Sequence, residues 1–194
     1  MPSGRPPLLR GVYSFEDPGT PPPDETVLDT SFVVEALSPT QPLHAAARDF
    51  LERMAAAGTT IVFNQILELE LAEAAYQIAL KERHPRDWKR YRSDGRARRR
   101  ANRLLAAATQ GWTELLSVFD HASYRIDEVI SRVPNLMTRH GLASYDAVHA
   151  ATAIEAQVNT IVTTDAGFGS VPASQLRVFT DNSRLRSCRS RRRR

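Results

Sequence analysis

At 194 residues and a formal net charge of +4, the chain is long enough for one domain with a substantial core plus attachments. No apolar run reaches the roughly 18 residues of a membrane span, and no apolar signal-peptide core opens the chain. The single cysteine, Cys188, excludes an internal disulfide, so a reducing, cytoplasmic setting is expected. The modest net charge conceals a sharper pattern. Lys81–Arg103 holds eleven Lys/Arg against Glu82, Asp87 and Asp94, and Arg184–Arg194 holds seven Arg and no acid, so the rest of the chain is acidic. Two basic patches on an acidic body point to a polyanionic partner, most simply nucleic acid.

In chain order, residues 1–24 contain seven of the twelve prolines and read as a disordered leader. Thr26–Asp29 is a predicted strand, and Phe32–Leu37 a helical turn or two that Pro39 and Pro42 interrupt. Leu43–Ala57 is a predicted helix closed by Gly58, and Thr60–Phe63 a second strand. Asn64 is an N-cap candidate for a helix to about Lys81, with Leu67, Leu71, Ala74 and Ile78 as its apolar stripe. Beyond Pro85, residues 87–108 read as an Arg-rich helical segment interrupted near Gly95. Glu114–Val118 is expected to be a strand, and His121–Val133 a helix stopped by Pro134. Ser144 is a plausible N-cap for an Ala-rich helix to about Gln157, with Asp146 in its first turn. Asn159 turns the chain into a β-branched strand, Thr160–Thr164. A last strand, Leu176–Phe179, precedes the Arg tail at 181–194. Strands alternating with helices predict an α/β sandwich with a mainly parallel sheet, spanning residues 25–180.

The chemistry sits in the acids. Asp29 and Asp165 each end a predicted strand, and ligands in open α/β sheets bind outside such ends. Asp146 comes from the helix preceding the Asp165 strand. A fourth acid is Glu68 or Glu70. Helix geometry does not choose between them, because both flank the apolar stripe by similar angles. Clustered carboxylates repel unless a cation neutralises them. Oxygen-only donors suit Mg²⁺ or Mn²⁺, and paired Cys or His spacings for zinc are absent from the sequence. Carboxylates beside basic patches point to metal-dependent phosphodiester hydrolysis. Trp88 and Tyr91 interleave with Lys and Arg, which suits single-stranded RNA, and their three-residue spacing equally suits the buried side of a helix.

Four segments carry a family resemblance: Val27-Leu28-Asp29-Thr30-Ser31, Glu70-Leu71-Ala72-Glu73-Ala74, Tyr145-Asp146-Ala147-Val148-His149-Ala150, and Ile161-Val162-Thr163-Thr164-Asp165-Ala166-Gly167-Phe168. Over about Thr26 to Phe179 the chain resembles PIN-domain proteins, and most closely the VapC-type toxin ribonucleases. The resemblance implies a PIN-like α/β/α sandwich, an Mg²⁺ or Mn²⁺ site and cleavage of RNA. It further implies a catalytic and metal-holding quartet of Asp29, Glu70, Asp146 and Asp165. Thr30, Ser31, Thr163 and Thr164 would orient carboxylates or water, Phe168 would pack in the core, and His149 would be a packed, hydrogen-bonded residue rather than a general base. An antitoxin protein and a second copy of the chain are the partners so implied. The Pro-rich leader, the longer basic segment and the Arg tail depart from that pattern. The alternative reading is a non-catalytic PIN-like protein that binds RNA or a partner.

Overall fold

The computed structural model describes residues 11–192. Among them, six short strands form one sheet: β1 (Val12–Ser14), β2 (Glu25–Leu28), β3 (Thr60–Asn64), β4 (His121–Tyr124), β5 (Thr160–Val162) and β6 (Arg177–Thr180). They lie in the order β1-β6-β5-β2-β3-β4, and every neighbouring pair is parallel. Eight helices flank them: α1 (Thr30–Leu37), α2 (His44–Ala56), α3 (Ile66–Arg83), α4 (Gly95–Leu116), α5 (Ile126–Val129), α6 (Val133–His140), α7 (Ser144–Glu155) and α8 (Asn182–Arg191). This is the expected PIN-like α/β/α sandwich.

Period-two alternation builds the layers. Val12, Val178, Ile161, Val27 and Val62 align across the sheet and bury one face together with residues of α6 and α7. Leu28, Val162 and Phe179 point the other way, into a core with Phe32, Phe50, Leu67 and Trp112. Both faces of the central strands are therefore dry, as a parallel sheet requires. Helix α7 is buried along Ala147–Ala153, and its alanines let it lie close to β2, β3 and β5. From β2 the chain goes on to β3, and from β5 to β6, in opposite directions. The carboxyl ends of β2 and β5, adjacent strands, thus open a crevice where connections diverge.

Several expectations change. Residues 11–24 of the Pro-rich leader are ordered, while residues 1–10 lie outside the described residues. Val12–Ser14 pairs with β6, and Phe15 is fully buried against Phe32 and Phe50. The prolines at 18 and 21–23 fall outside the strand, so proline content and edge pairing do not conflict. Glu114–Val118 is not a strand: α4 runs through Leu116, because Trp112 and Leu115 share a buried helical face. His121–Val133 is not one helix. Its first four residues pair with β3, His121–Ser123 exposed and Tyr124 half-buried against the core, and Pro134 sits in the first turn of α6 instead of stopping a helix. Ala143 rather than Ser144 holds the N-cap position of α7. Asn64 ends β3, yet its Oδ1 still accepts the Ile66 N–H at 3.0 Å. Residues 182–191 form a helix packed on the domain, with Cys188 fully buried and Asp181 capping its first turn. No described helix is long and apolar enough to cross a membrane.

Candidate active site

The site begins where β2 stops. Asp29 is the N-cap residue of α1, and its carboxylate is buried instead of capping the helix. Its Oδ2 accepts the Ser31 hydroxyl at 2.5 Å and the Thr163 hydroxyl at 2.7 Å. Each hydroxyl also accepts a backbone N–H from the chain leaving β5: Thr164 to Ser31 at 2.9 Å, and Asp165 to Thr163 at 2.8 Å. One hydroxyl, Thr163 Oγ1, therefore ties the end of β2 to the end of β5. Asp165 itself is exposed and accepts the Gly167 N–H at 2.5 Å.

The α3 acid that turns inward is Glu70, whereas Glu68 is exposed. Glu70 Oε2 accepts the Thr30 hydroxyl at 2.6 Å and meets His149 Nε2 at 2.6 Å. His149 is fully buried on α7, and its Nε2 lies 3.7 Å from Asp29 Oδ1. Burial opposes charge on His149, but the Glu70 hydrogen bond and the charges of Asp29, Glu70 and Asp146 outweigh it and hold its pKa above the usual imidazole value. Sequence reasoning placed His149 as a packed residue. It missed the bond to Glu70, for which the only signal was the three-residue spacing from Asp146 on one helix.

Asp146 lies in the first turn of α7 and is half-buried. Among the described residues, nothing donates a hydrogen bond to its carboxylate. Burial first, then the charges of Asp29 and Asp165, push its pKa up to about 7. Burial likewise raises Asp29, with His149, Ser31 and Thr163 working against the rise. A side-chain carbon at Gly167 would stand 3.0 Å from Asp165 Oδ1 and 3.9 Å from Asp146 Oδ2, so both carboxylates flank that glycine. Asp29, Glu70, Asp146 and Asp165 thus share one crevice. Of the four predicted supporting residues, Thr30, Ser31 and Thr163 use their hydroxyls as expected, and Thr164 contributes only its backbone N–H. Phe168 is buried in the core, as expected.

A divalent cation can be tested against this arrangement. Among the described residues, no three His, Cys, Asp or Glu side chains close up as a preformed metal site. The one histidine has its Nε2 engaged by Glu70, so the available donors are carboxylate oxygens. Asp29 and Asp146 are raised in pKa first by burial and then by neighbouring carboxylates, Glu70 for Asp29 and Asp29, Asp165 and Glu70 for Asp146, the mark of a cluster short of positive charge. A hard ion that keeps several waters and needs only one or two direct carboxylates fits such a donor set.

The PIN domain family matches residues 26–173. The chain belongs to the PIN domain family. No individual curated relative matches it significantly. Membership places nuclease-type chemistry, generally metal-dependent, on this PIN domain, and the match covers every strand end and helix that supplies the four carboxylates.

Proposed function

We propose that this PIN domain is an endoribonuclease that uses Mg²⁺ or Mn²⁺ to hydrolyse RNA phosphodiester bonds, with Asp29, Glu70, Asp146 and Asp165 as its catalytic and metal-holding residues. In its finer form the reading is a VapC-type toxin, working in the cytoplasm as a homodimer and held in check by an antitoxin. The observation that carries it is the crevice itself: four carboxylates from two adjacent strand ends and two helices, two of them raised in pKa, within a chain that also bears a concentrated basic segment.

A divalent ion bound there would supply charge stabilisation for the phosphodiester and acidify water. The chain's own groups do the rest. Ser31 and Thr163 fix Asp29 from one side, and Thr163 sets the start of the Asp165 loop. Thr30 and His149 hold Glu70 by one oxygen and leave the other open. Asp146, without a hydrogen-bond donor among the described residues, is the carboxylate free to take the proton of an attacking water. His149 is sealed in the core and acts by positioning Glu70.

The test is cleavage of a mixed RNA pool by the purified chain with Mg²⁺, with Mn²⁺ and with EDTA, beside Asp146→Asn. Discrete fragments that vanish with EDTA and in the variant are expected. Intact RNA in every lane, with band shifts that weaken in salt, overturns the nuclease reading in favour of a non-catalytic binding protein.

A further inference from the structure

Helices α3 and α4 pack along each other and are joined by residues 84–94, which include a 3₁₀ turn at Trp88–Tyr91. This arm carries the internal basic segment. Some of its charge is internally matched: Arg83 and His84 bond Asp94, Arg92 bonds Glu73, and Arg100 bonds Glu82. Among the described residues, Arg86, Lys89, Arg90, Arg96, Arg99 and Arg103 form no ion pair. They leave a dense, uncompensated positive surface on a chain whose remainder is acidic.

The arm also displays aromatic rings that the core does not use. No residue of the Trp88–Tyr91 turn is buried. Lys81 and Lys89 place their ammonium groups 5.1 and 5.6 Å from the Trp88 ring centre. Tyr91, 44% exposed, stacks on His84 with centroids 3.9 Å apart and planes 7° from parallel. Asp94 holds His84 at 2.8 Å while capping α4, so the stack is anchored at its base. Large aromatics left at a surface gain the fold little. Here they are fixed and ringed by cations.

A groove of about 860 Å³ lies along this arm, between α3, α4 and the start of α7. Leu69, Tyr76, Arg98, Asn102 and Tyr145 line it. Leu69 and Tyr145, 65% and 48% exposed, are the chain neighbours of Glu70 and Asp146. Glu73, the one acid in the groove, is matched by two hydrogen bonds from Arg92 at 3.0 and 3.1 Å.

We propose that the arm docks a single-stranded stretch of RNA beside the cleaved bond. Bases stack on Trp88 and Tyr91, the free arm cations hold phosphates, and the groove past Arg98 and Tyr145 leads the strand to the acidic crevice. A duplex hides its base faces, so only an unpaired strand can use the two rings. The identity of the substrate rests on the ribonuclease reading, whereas binding can be read without cleavage.

The experiment is fluorescence anisotropy of a labelled 12-mer oligouridylate with the full chain in EDTA, across a salt series. Base–aromatic stacking corresponds to about 5- to 150-fold in affinity per base. Trp88→Ala/Tyr91→Ala is expected to weaken binding at least about tenfold. Arg86→Gln/Lys89→Gln/Arg90→Gln is expected to flatten the slope of log K against log salt by about 2, from about 0.7 per lost phosphate contact. Circular dichroism checks that these surface variants stay folded. Wild-type affinity and salt slope in both variants overturn the proposal. So does loss of self-association in sedimentation with RNA affinity unchanged, which makes the arm an interface between copies. Wild-type protein that binds the strand, loses it in the aromatic variant and cleaves nothing with Mg²⁺ or Mn²⁺ sinks the nuclease reading while upholding this one.

Discussion

Thr163→Val removes one hydroxyl and almost no volume from the centre of the site. Thr163 is fully buried, and its Oγ1 donates to Asp29 Oδ2 at 2.7 Å while accepting the Asp165 N–H at 2.8 Å. The variant leaves Asp29 with the Ser31 hydroxyl as its remaining side-chain donor and strands a partly buried N–H. A hydrogen bond to a charged group contributes about 1.5–3 kcal/mol, and an unsatisfied donor costs about 1–3 kcal/mol. The two losses share one atom and do not add fully, so about 3 kcal/mol is expected. A domain stable by about 5–15 kcal/mol still folds. At about 2–4 °C per kcal/mol for this chain length, the melting temperature falls by about 6–12 °C. The hydroxyl also sets the relation between Asp29 and Asp165, so cleavage falls about 10- to 100-fold, the scale of losing an orienting partner of a metal ligand. Thermal melts and initial cleavage rates at saturating RNA measure both, with Thr163→Ser as the control that keeps the hydroxyl. Thr163→Val with wild-type melting and rate would refute the linkage, as would a Ser variant as defective as Val.

Two more outcomes follow from the same geometry. Asp146 has its folded pKa raised to about 7 from the ordinary aspartate value of 3.8, so between those values the folded state holds a proton that the unfolded state lacks. In metal-free protein this group therefore destabilises the fold as pH rises from about 4 through 7. Asp146→Asn should melt higher than wild type at pH 8 in EDTA, the gain fading toward pH 4, and an equal melting temperature at both pH values would contradict the charge cluster. A Gly169→Ala side chain would stand 2.6 Å from both Cα and the carbonyl oxygen of Cys188, backbone atoms that cannot swing aside. The Ala variant should lose about 1–3 kcal/mol, exchange amide hydrogens faster over residues 182–191, and expose to a thiol reagent a Cys188 that burial pushes up to about 11 in the native fold; unchanged exchange and an inert thiol would show that α8 is not held by that contact.

Local pattern by itself determined the segments that are short-range in origin. The β-branched runs around Val27 and Ile161 became central strands, because any apolar strand of that length finds two faces to bury in a parallel sheet. The Ala-rich run after Asp146 became a buried helix, and the two strand-end aspartates followed from where those runs stop. Everything set by non-local pairing was decided only in three dimensions. His121–Ser123 is exposed, only Tyr124 touches the core, and the open edge of β3 makes the segment a strand. The Pro-rich stretch carries Phe15 into an aromatic cluster that its composition does not announce. The α3 acids illustrate the division most directly. A helix places Glu68 and Glu70 symmetrically about its apolar stripe, so sequence leaves them equivalent. Glu70 turns inward because α7 brings His149, 79 positions away, to within 2.6 Å of it, and α1 brings Thr30 to the same oxygen. Local periodicity fixes which residues share a face, and the tertiary structure decides which neighbour that face meets.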